Sequence, residues 1–208
     1  MKQNLVFDLW YTLIYLDDGW KTFNLLKEDF GITRYMWVNT VKQLFLCKNY
    51  DDETSFLKEF SRDTGIKLDI NKYAQIMKSQ KDYDLTHIKL YPDTLNTLER
   101  AKQEDYRLGL ISNQCTFYEQ WFHNSILSKF FDITIFSNNV GFRKPDKRIY
   151  ETYAQAAKAN LSECTLIGDS LDQDFYVPLS LGMLAIHLDR TGKRPGSIKG
   201  LDELFDNI

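Results

Sequence analysis

Three aspartates, a lysine and a set of hydroxyls stand where apolar runs end in this 208-residue sequence. Asp8 closes "NLVFD", Ser112 and Asn113 close "RLGLISN", and Asp169 closes "TLIGD", with Asp174 a little further on. Lys144 lies in a loop after "ITIFS", directly before Pro145. Carboxylates held close together repel one another and gain from a cation. An all-oxygen ligand set suits a hard ion, and a site shared with a phosphate suits Mg²⁺. An ammonium beside such an ion is a clamp for a phosphoryl dianion. Pro145 pushes the backbone of Lys144 toward an extended form and so fixes where its side chain leaves the chain. The hydroxyls of Thr12 and Ser112 and nearby backbone N–H groups add hydrogen bonds.

These residues meet only if the runs that carry them are neighbouring strands. The runs 4–8, 107–112, 133–137, 165–169 and 184–189 are each the length of a buried strand and show little polar alternation, as a parallel sheet covered on both faces requires. Helical patterns lie between them. Residues 93–105 place Leu95 and Leu98 on one face; residues 145–160 place Ile149, Tyr153 and Ala156 on one face, with Pro145 expected in the first turn. Strands alternating with helices predict an α/β chain with a Rossmann-like, doubly wound parallel sheet. In such sheets ligands bind beyond the carboxyl ends of the strands, where the acidic residues, Ser112 and Asn113 stand.

Residues 16–88 differ. Phe23, Leu26 and Phe30 recur at helical spacing in 19–31, which Gly31 ends. Phe56, Leu57 and Phe60 repeat the form in 52–65, which Gly65 ends, and 70–81 is a third helical pattern. The aromatic stripes read as a small helical core rather than a ligand box. The chain is therefore expected to divide into an α/β core, residues 1–15 and 89–208, and a helical insertion, residues 16–88.

The bulk composition narrows the function classes. Net charge is −3 and the basic residues form no patch, so there is no electrostatic case for nucleic acid. No apolar run approaches a membrane span, and "MKQNLVFDLW" lacks the apolar core and cleavage site of a signal peptide. Cys47, Cys115 and Cys164 are odd in number, widely spaced and without a CxxC, which favours buried, reduced thiols in a cytoplasmic protein. His87, His123 and His187 are isolated and read as structural. The expected partner is a small molecule; nothing sets the oligomeric state.

In order along the chain, "FDLWYTL", "LISN", "RKPD" and "IGDSLDQD" resemble the four motifs of the haloacid dehalogenase superfamily, in the branch with a helical cap after the first strand. "LYPDTLNTLE" and "SLGMLAIHLDR" also resemble segments common there. The resemblance covers nearly the whole chain. It implies Asp8 as nucleophile, with Thr12, Ser112 and Lys144 completing the catalytic set. It also implies Mg²⁺ held by Asp8, the Trp10 carbonyl, Asp169 and Asp174, with Trp10, Tyr11 and Asn113 bordering the substrate.

Two positions depart from that pattern. Phosphatases of the superfamily usually carry a second Asp where Trp10 stands, to protonate the leaving alcohol and then activate water. An indole N–H is a poor acid and no base. Loss of general acid–base catalysis costs on the order of 10²–10⁴ in rate, or roughly 3–5 kcal/mol of barrier. Tyr11 stands where a small or polar residue is common. The leading expectation is a Mg²⁺-dependent phosphatase-like hydrolase with altered acid–base chemistry. A haloacid dehalogenase, a phosphonate hydrolase and a non-catalytic phosphate- or partner-binding domain are the alternatives. Asp169 argues against the dehalogenase, and the joint retention of Asp8, Lys144, Asp169 and Asp174 argues against a remnant, because clustered carboxylates are costly without a cation.

Overall fold

The computed structural model describes residues 3–208. Its centre is a five-stranded, all-parallel sheet. Five strands build it: β1 (Asn4–Phe7), β4 (Arg107–Ser112), β5 (Ile133–Phe136), β6 (Cys164–Gly168) and β7 (Leu184–His187), in the order β5-β4-β1-β6-β7. The remaining strands, β2 (Ile14–Leu16) and β3 (Ile88–Leu90), pair antiparallel as a separate two-stranded sheet. Every apolar run expected to be a strand is one, and each ends at or just before its polar residue.

Alternation along the strands sends successive side chains to opposite faces. Leu5, Phe7, Leu108 and Leu110 pack on one face, with Leu98 and Leu204. Val6, Ile111 and Leu166 pack on the other against Ile149, Tyr150 and Tyr153 of the helix Lys147–Ala157. Gly109 faces that helix so closely that a Cβ there would lie 2.2 Å from the Tyr153 ring. Glycine is what lets this large side chain seat on the sheet.

Between β2 and β3 the described elements are helical. Helix Glu53–Thr64 ends at Gly65 in the left-handed conformation, as its pattern predicts, and begins at a capping box formed by Asp52 and Ser55. Phe56, Leu57 and Phe60 are fully buried, joining the same apolar cluster as one face of the sheet, so this stripe is core. The helical pattern at 70–81 runs on to His87.

Two expectations need correction. The pattern at 19–31 breaks into a short helix, Lys21–Asn24, and a π-helical turn, Leu25–Asp29. Pro145 lies outside its helix: the Asp146 carboxylate accepts from Arg148 N at 3.0 Å, so Asp146 is the N-cap and the helix starts at Lys147. Helices within 34–47 and at Thr116–Asn124, and the strands β2 and β3, had no clear periodic signal; β2 and β3 are three residues each. Cys47, Cys115 and Cys164 are free and buried. Among the described residues no helix is long and apolar enough to cross a membrane.

Candidate active site

The strand order places three chain ends side by side. Asp8 follows β1, the central strand, and its N–H donates to Ile167 O at 2.9 Å, extending the ladder by one residue. Ser112 ends β4 on one side of β1, and Asp169 follows β6 on the other.

Lys144 closes the group. It is 1% exposed, and its ammonium donates to Asp8 Oδ1 at 2.7 Å and to Asp174 Oδ1 at 2.6 Å. Its backbone is bracketed by Asn113, whose Oδ1 accepts from Lys144 N at 2.7 Å and whose Nδ2 donates to Lys144 O at 3.1 Å. The same Nδ2 donates to Gln173 Oε1 at 2.7 Å. Asn113, expected to border the substrate, thus has its amide engaged in holding the lysine loop.

Asp174 is pinned by its second oxygen, which accepts from Ser170 N at 3.0 Å. A Cβ at position 168 would fall 2.5 Å from Asp174 Cγ, so the carboxylate depends on Gly168 for its place. Thr12 Oγ1 donates to Asp8 Oδ2 at 3.2 Å. Ser112 Oγ is buried with no hydrogen-bond partner among the described residues. A buried hydroxyl without a partner costs about 1–3 kcal/mol, which a bound oxyanion would recover.

Charge in this group is unbalanced. Asp8, Asp169 and Asp174 each bring one carboxylate oxygen to within 4.8 Å of the others, against one ammonium. Burial pushes the Asp8 carboxyl up to about 6; Lys144 opposes the shift and Asp174 adds to it. Burial, then Asp8 and Asp174, push Asp169 up to about 7. Burial works against the Lys144 ammonium, but Asp174 and Asp8 outweigh it and raise its pKa. Asp169 makes no ion pair among the described residues. Three convergent carboxylates with surplus negative charge fit a hard divalent cation, and Mg²⁺ suits that donor set.

A protein-family model for haloacid dehalogenase-like hydrolases matches residues 5–183. The chain belongs to this family. A glyceraldehyde 3-phosphate phosphatase from Methanothermobacter thermautotrophicus is 34% identical over 101 residues, 48% of this chain and 44% of that protein, so the chain spans less than half the length of this relative. A HAD phosphatase from Thermococcus onnurineus has a similar structure, with a TM-score of 0.68 at 22% identity, over 99% of this chain and 97% of that one. A HAD family enzyme from Bacteroides thetaiotaomicron, solved with magnesium and inorganic phosphate, gives 0.65 at 19% identity over 94% and 98%.

The turn that follows Asp8 is tight. Tyr11 sits in the left-handed region at φ 63°, a conformation that costs a residue with a Cβ roughly 1–2 kcal/mol. Its N–H donates to Ile14 O at 2.7 Å, while Leu13 N and Ile14 N both donate to Leu9 O. This tight turn holds Tyr11 40% exposed and Trp10 8% exposed. The Trp10 indole N–H donates to Gln114 Oε1 at 3.4 Å, and its ring packs on Trp20 and Tyr118.

Some residues around the site had no signal in the sequence beyond their place in a resembling segment. His187 Nε2 lies 2.9 Å from Asp169 O, and its Nδ1 lies 2.7 Å from Ser197 Oγ. A carbonyl only accepts, so Nε2 carries the proton and braces the Asp169 backbone. Arg190 donates to Thr12 O at 2.7 Å, forks onto both oxygens of Asp93 and lies over the Tyr91 ring. It ties the Thr12 turn to the segment after β3. His87 stacks on Tyr83 and His123 pairs with Glu119, both remote from the carboxylates in the chain's fold.

Proposed function

We propose that the protein is a Mg²⁺-dependent, phosphatase-like hydrolase that acts on a small phosphorylated metabolite through a phosphoryl–Asp8 intermediate. The observation that carries this is the buried Lys144 ammonium shared by Asp8 and Asp174, with Asp169 in the same cluster. The named activities of family members and the magnesium and phosphate held by a structural neighbour support it.

Asp8 attacks phosphorus in line; the new Asp8 O–P bond forms as the P–O bond to the leaving group breaks. Lys144 orients Asp8 and faces the phosphoryl oxygens with positive charge, and the free Ser112 hydroxyl gives them a hydrogen bond. Thr12 fixes the second Asp8 oxygen, so the nucleophile's direction is set before substrate arrives. Asp8, Asp169, Asp174 and the Trp10 carbonyl would hold Mg²⁺. Bound there, it neutralises phosphoryl charge that the single lysine leaves uncompensated. Water then cleaves the phosphoryl–Asp8 bond and releases phosphate. The helical segment 16–88 acts as a cap over the site and selects the leaving group.

Position 10 offers no proton, so the reading favours leaving groups that depart unprotonated. The test is phosphate release from a panel of phosphate esters, a phosphonate and haloacids, with and without Mg²⁺. Mg²⁺-dependent phosphate release that is lost in Asp8→Asn is expected. Metal-independent halide release, or aldehyde from the phosphonate alone, overturns the reading. Silence on every substrate with retained Mg²⁺ and phosphate binding would make the chain a binding domain.

A further inference from the structure

Beside the carboxylate cluster lies a cavity of about 130 Å³, walled by Trp10, Trp20, Phe23, Tyr118, Leu46 and Cys115 and bordered by Asn113. Asn113, which lines it, also holds the backbone of Lys144, and Trp10 lies in the turn that follows Asp8, so the cavity adjoins the charged cluster. We propose that this cavity is the leaving-group subsite, and that it takes a single aromatic ring, which makes the substrate an aryl phosphate monoester. The inference rests on the reading of Asp8 as the phosphoryl acceptor.

Size and chemistry agree. A dry apolar cavity of about 150 Å³ binds benzene, so about 130 Å³ is on the scale of a single ring and too small for two. The walls come from both parts of the chain: Trp20, Phe23 and Leu46 from the helical segment, Trp10, Cys115 and Tyr118 from around the sheet. Trp10 and Trp20 already stand at 55° to each other with centroids 4.0 Å apart, and Tyr118 meets Trp20 edge-on at 5.0 Å. A further ring in this cluster gains offset or edge contacts.

Several polar atoms at the walls are engaged elsewhere. Gln114 Oε1 accepts from Trp10 Nε1 and from Cys115 N. The Tyr118 hydroxyl is held by Asp84 Oδ2 at 2.7 Å and Thr22 Oγ1 at 2.8 Å. The amide of Asn113 is occupied by Lys144 and Gln173. A polyol or sugar leaving group would bury hydroxyls with few partners, which such a site rejects.

The chemistry at position 10 points the same way independently. As Asp8 O–P forms, the aryl O–P bond breaks and the oxygen leaves with the electron pair as a phenolate. A phenolate is a far weaker base than an alkoxide and takes its proton later, from water. No acid on the protein is needed, and Trp10 supplies none.

The experiment uses the full chain and two readouts. Binding of 4-fluorophenol, which carries no phosphate, is followed by ¹⁹F NMR and by tryptophan fluorescence. Steady-state KM is compared for phenyl phosphate and glycerol 1-phosphate with Mg²⁺. Saturable 4-fluorophenol binding and a KM for phenyl phosphate lower by roughly tenfold or more are expected, from burial of one ring. Leu46→Phe, which fills the cavity, should remove both effects; Cys115→Leu fills it from another wall if that variant does not melt cooperatively. Phenol binding without phosphate release from any substrate would keep the subsite and overturn the phosphatase reading. Turnover of glycerol 1-phosphate with no phenol binding and no KM advantage for phenyl phosphate would overturn the subsite and keep the phosphatase reading. Phenol binding unchanged in both filled variants would also overturn the subsite.

Discussion

The Trp10 ring packs on the Trp20 ring with centroids 4.0 Å apart. Trp10 belongs to the turn that follows Asp8, and Trp20 is the residue before the first helix of the segment 21–87. The side chain at position 10, where the resemblance leads one to expect an acid–base carboxylate, is therefore used for packing against the helical segment. The turn around it is braced on both sides: Thr12 reaches Asp8, and Arg190 holds the Thr12 carbonyl. Thr12 and Arg190 thus brace the turn and the Asp8 carboxylate while the Trp10 ring is given to packing.

Lys144→Ala is expected to destabilise the metal-free protein by about 3–5 kcal/mol, the range for removing one partner of a buried ion pair. Both Asp8 and Asp174 lose their shared cation, and neither has another basic partner within 4.0 Å among the described residues. Urea unfolding measures the loss. Mg²⁺ should return part of it, because a divalent ion supplies the charge that the lysine gave. A loss below about 1 kcal/mol, the ceiling typical of exposed pairs, would show that the cluster is solvated.

The metal-free protein should become less stable as pH rises from about 4 to about 7. The carboxyls of Asp8 and Asp169 titrate at about 6 and about 7 when folded, against 3.8 as their ordinary value. Below the ordinary value both states are protonated. Between it and the folded values the native state keeps protons that the unfolded chain has released, so raising pH favours unfolding. The slope is about 1.4 kcal/mol per pH unit for each proton that separates the states. It is steepest between about 4 and about 6, where two protons separate them, and halves toward about 7. Above about 7 these two groups contribute no further change. Mg²⁺ binds the deprotonated carboxylates, so its stabilisation should grow over the same window. Thermal melts across pH, with and without Mg²⁺, check both signs.

Gly168→Ala should weaken Mg²⁺ binding and destabilise the fold by about 1–3 kcal/mol, as overpacking in a close-packed interior does. The added methyl meets Asp174 Cγ at 2.5 Å, and that carboxylate is fixed by both Lys144 and Ser170 N. Isothermal titration with Mg²⁺ and urea unfolding report the two effects. Undiminished Mg²⁺ affinity would take Asp174 out of the ligand set.

Much of this site was legible because its residues lie at the ends of apolar runs, and a parallel sheet brings such ends together. Asp8, Ser112 and Asp169 follow from that rule alone. Lys144 sits in a turn beyond β5 and Asp174 in the π-helical turn Leu171–Tyr176, so neither stands at a strand end, and the resemblance of "RKPD" and "IGDSLDQD" to family motifs supported their place in the cluster. The hold of Asn113 on the lysine loop was not legible, because its partners are backbone atoms of Lys144 and the side chain of Gln173, remote in sequence and without periodic signature. His187 looked isolated for the same reason: its contact is with a carbonyl, which every residue has. The aromatic residues of the helical segment divide in a way that spacing cannot express. Phe56 and Phe60 are fully buried core, whereas Phe23, in an equivalent-looking stripe, lines the cavity beside Trp10.

Trp10→Asp tests how far one residue accounts for the altered chemistry. A carboxyl at position 10 supplies the missing acid and base, so turnover of alkyl phosphates should rise, by at most about 10²–10⁴. The ring it replaces is 8% exposed and packs on Trp20 and Tyr118, so removing it should also cost about 3–5 kcal/mol of stability. The new carboxyl would face aromatic surface, which raises its pKa and favours its acidic form. Aryl phosphates, which need no acid, should gain little in kcat and lose the Trp10 wall, so their KM should rise. The alkyl-to-aryl ratio of kcat/KM, measured on protein shown to be folded, carries the result. An increase in that ratio is expected. If instead both substrate classes keep their wild-type ratio, the acid is supplied elsewhere, and the half-exposed Tyr11 hydroxyl next to Trp10 becomes the first group to replace, as Tyr11→Phe.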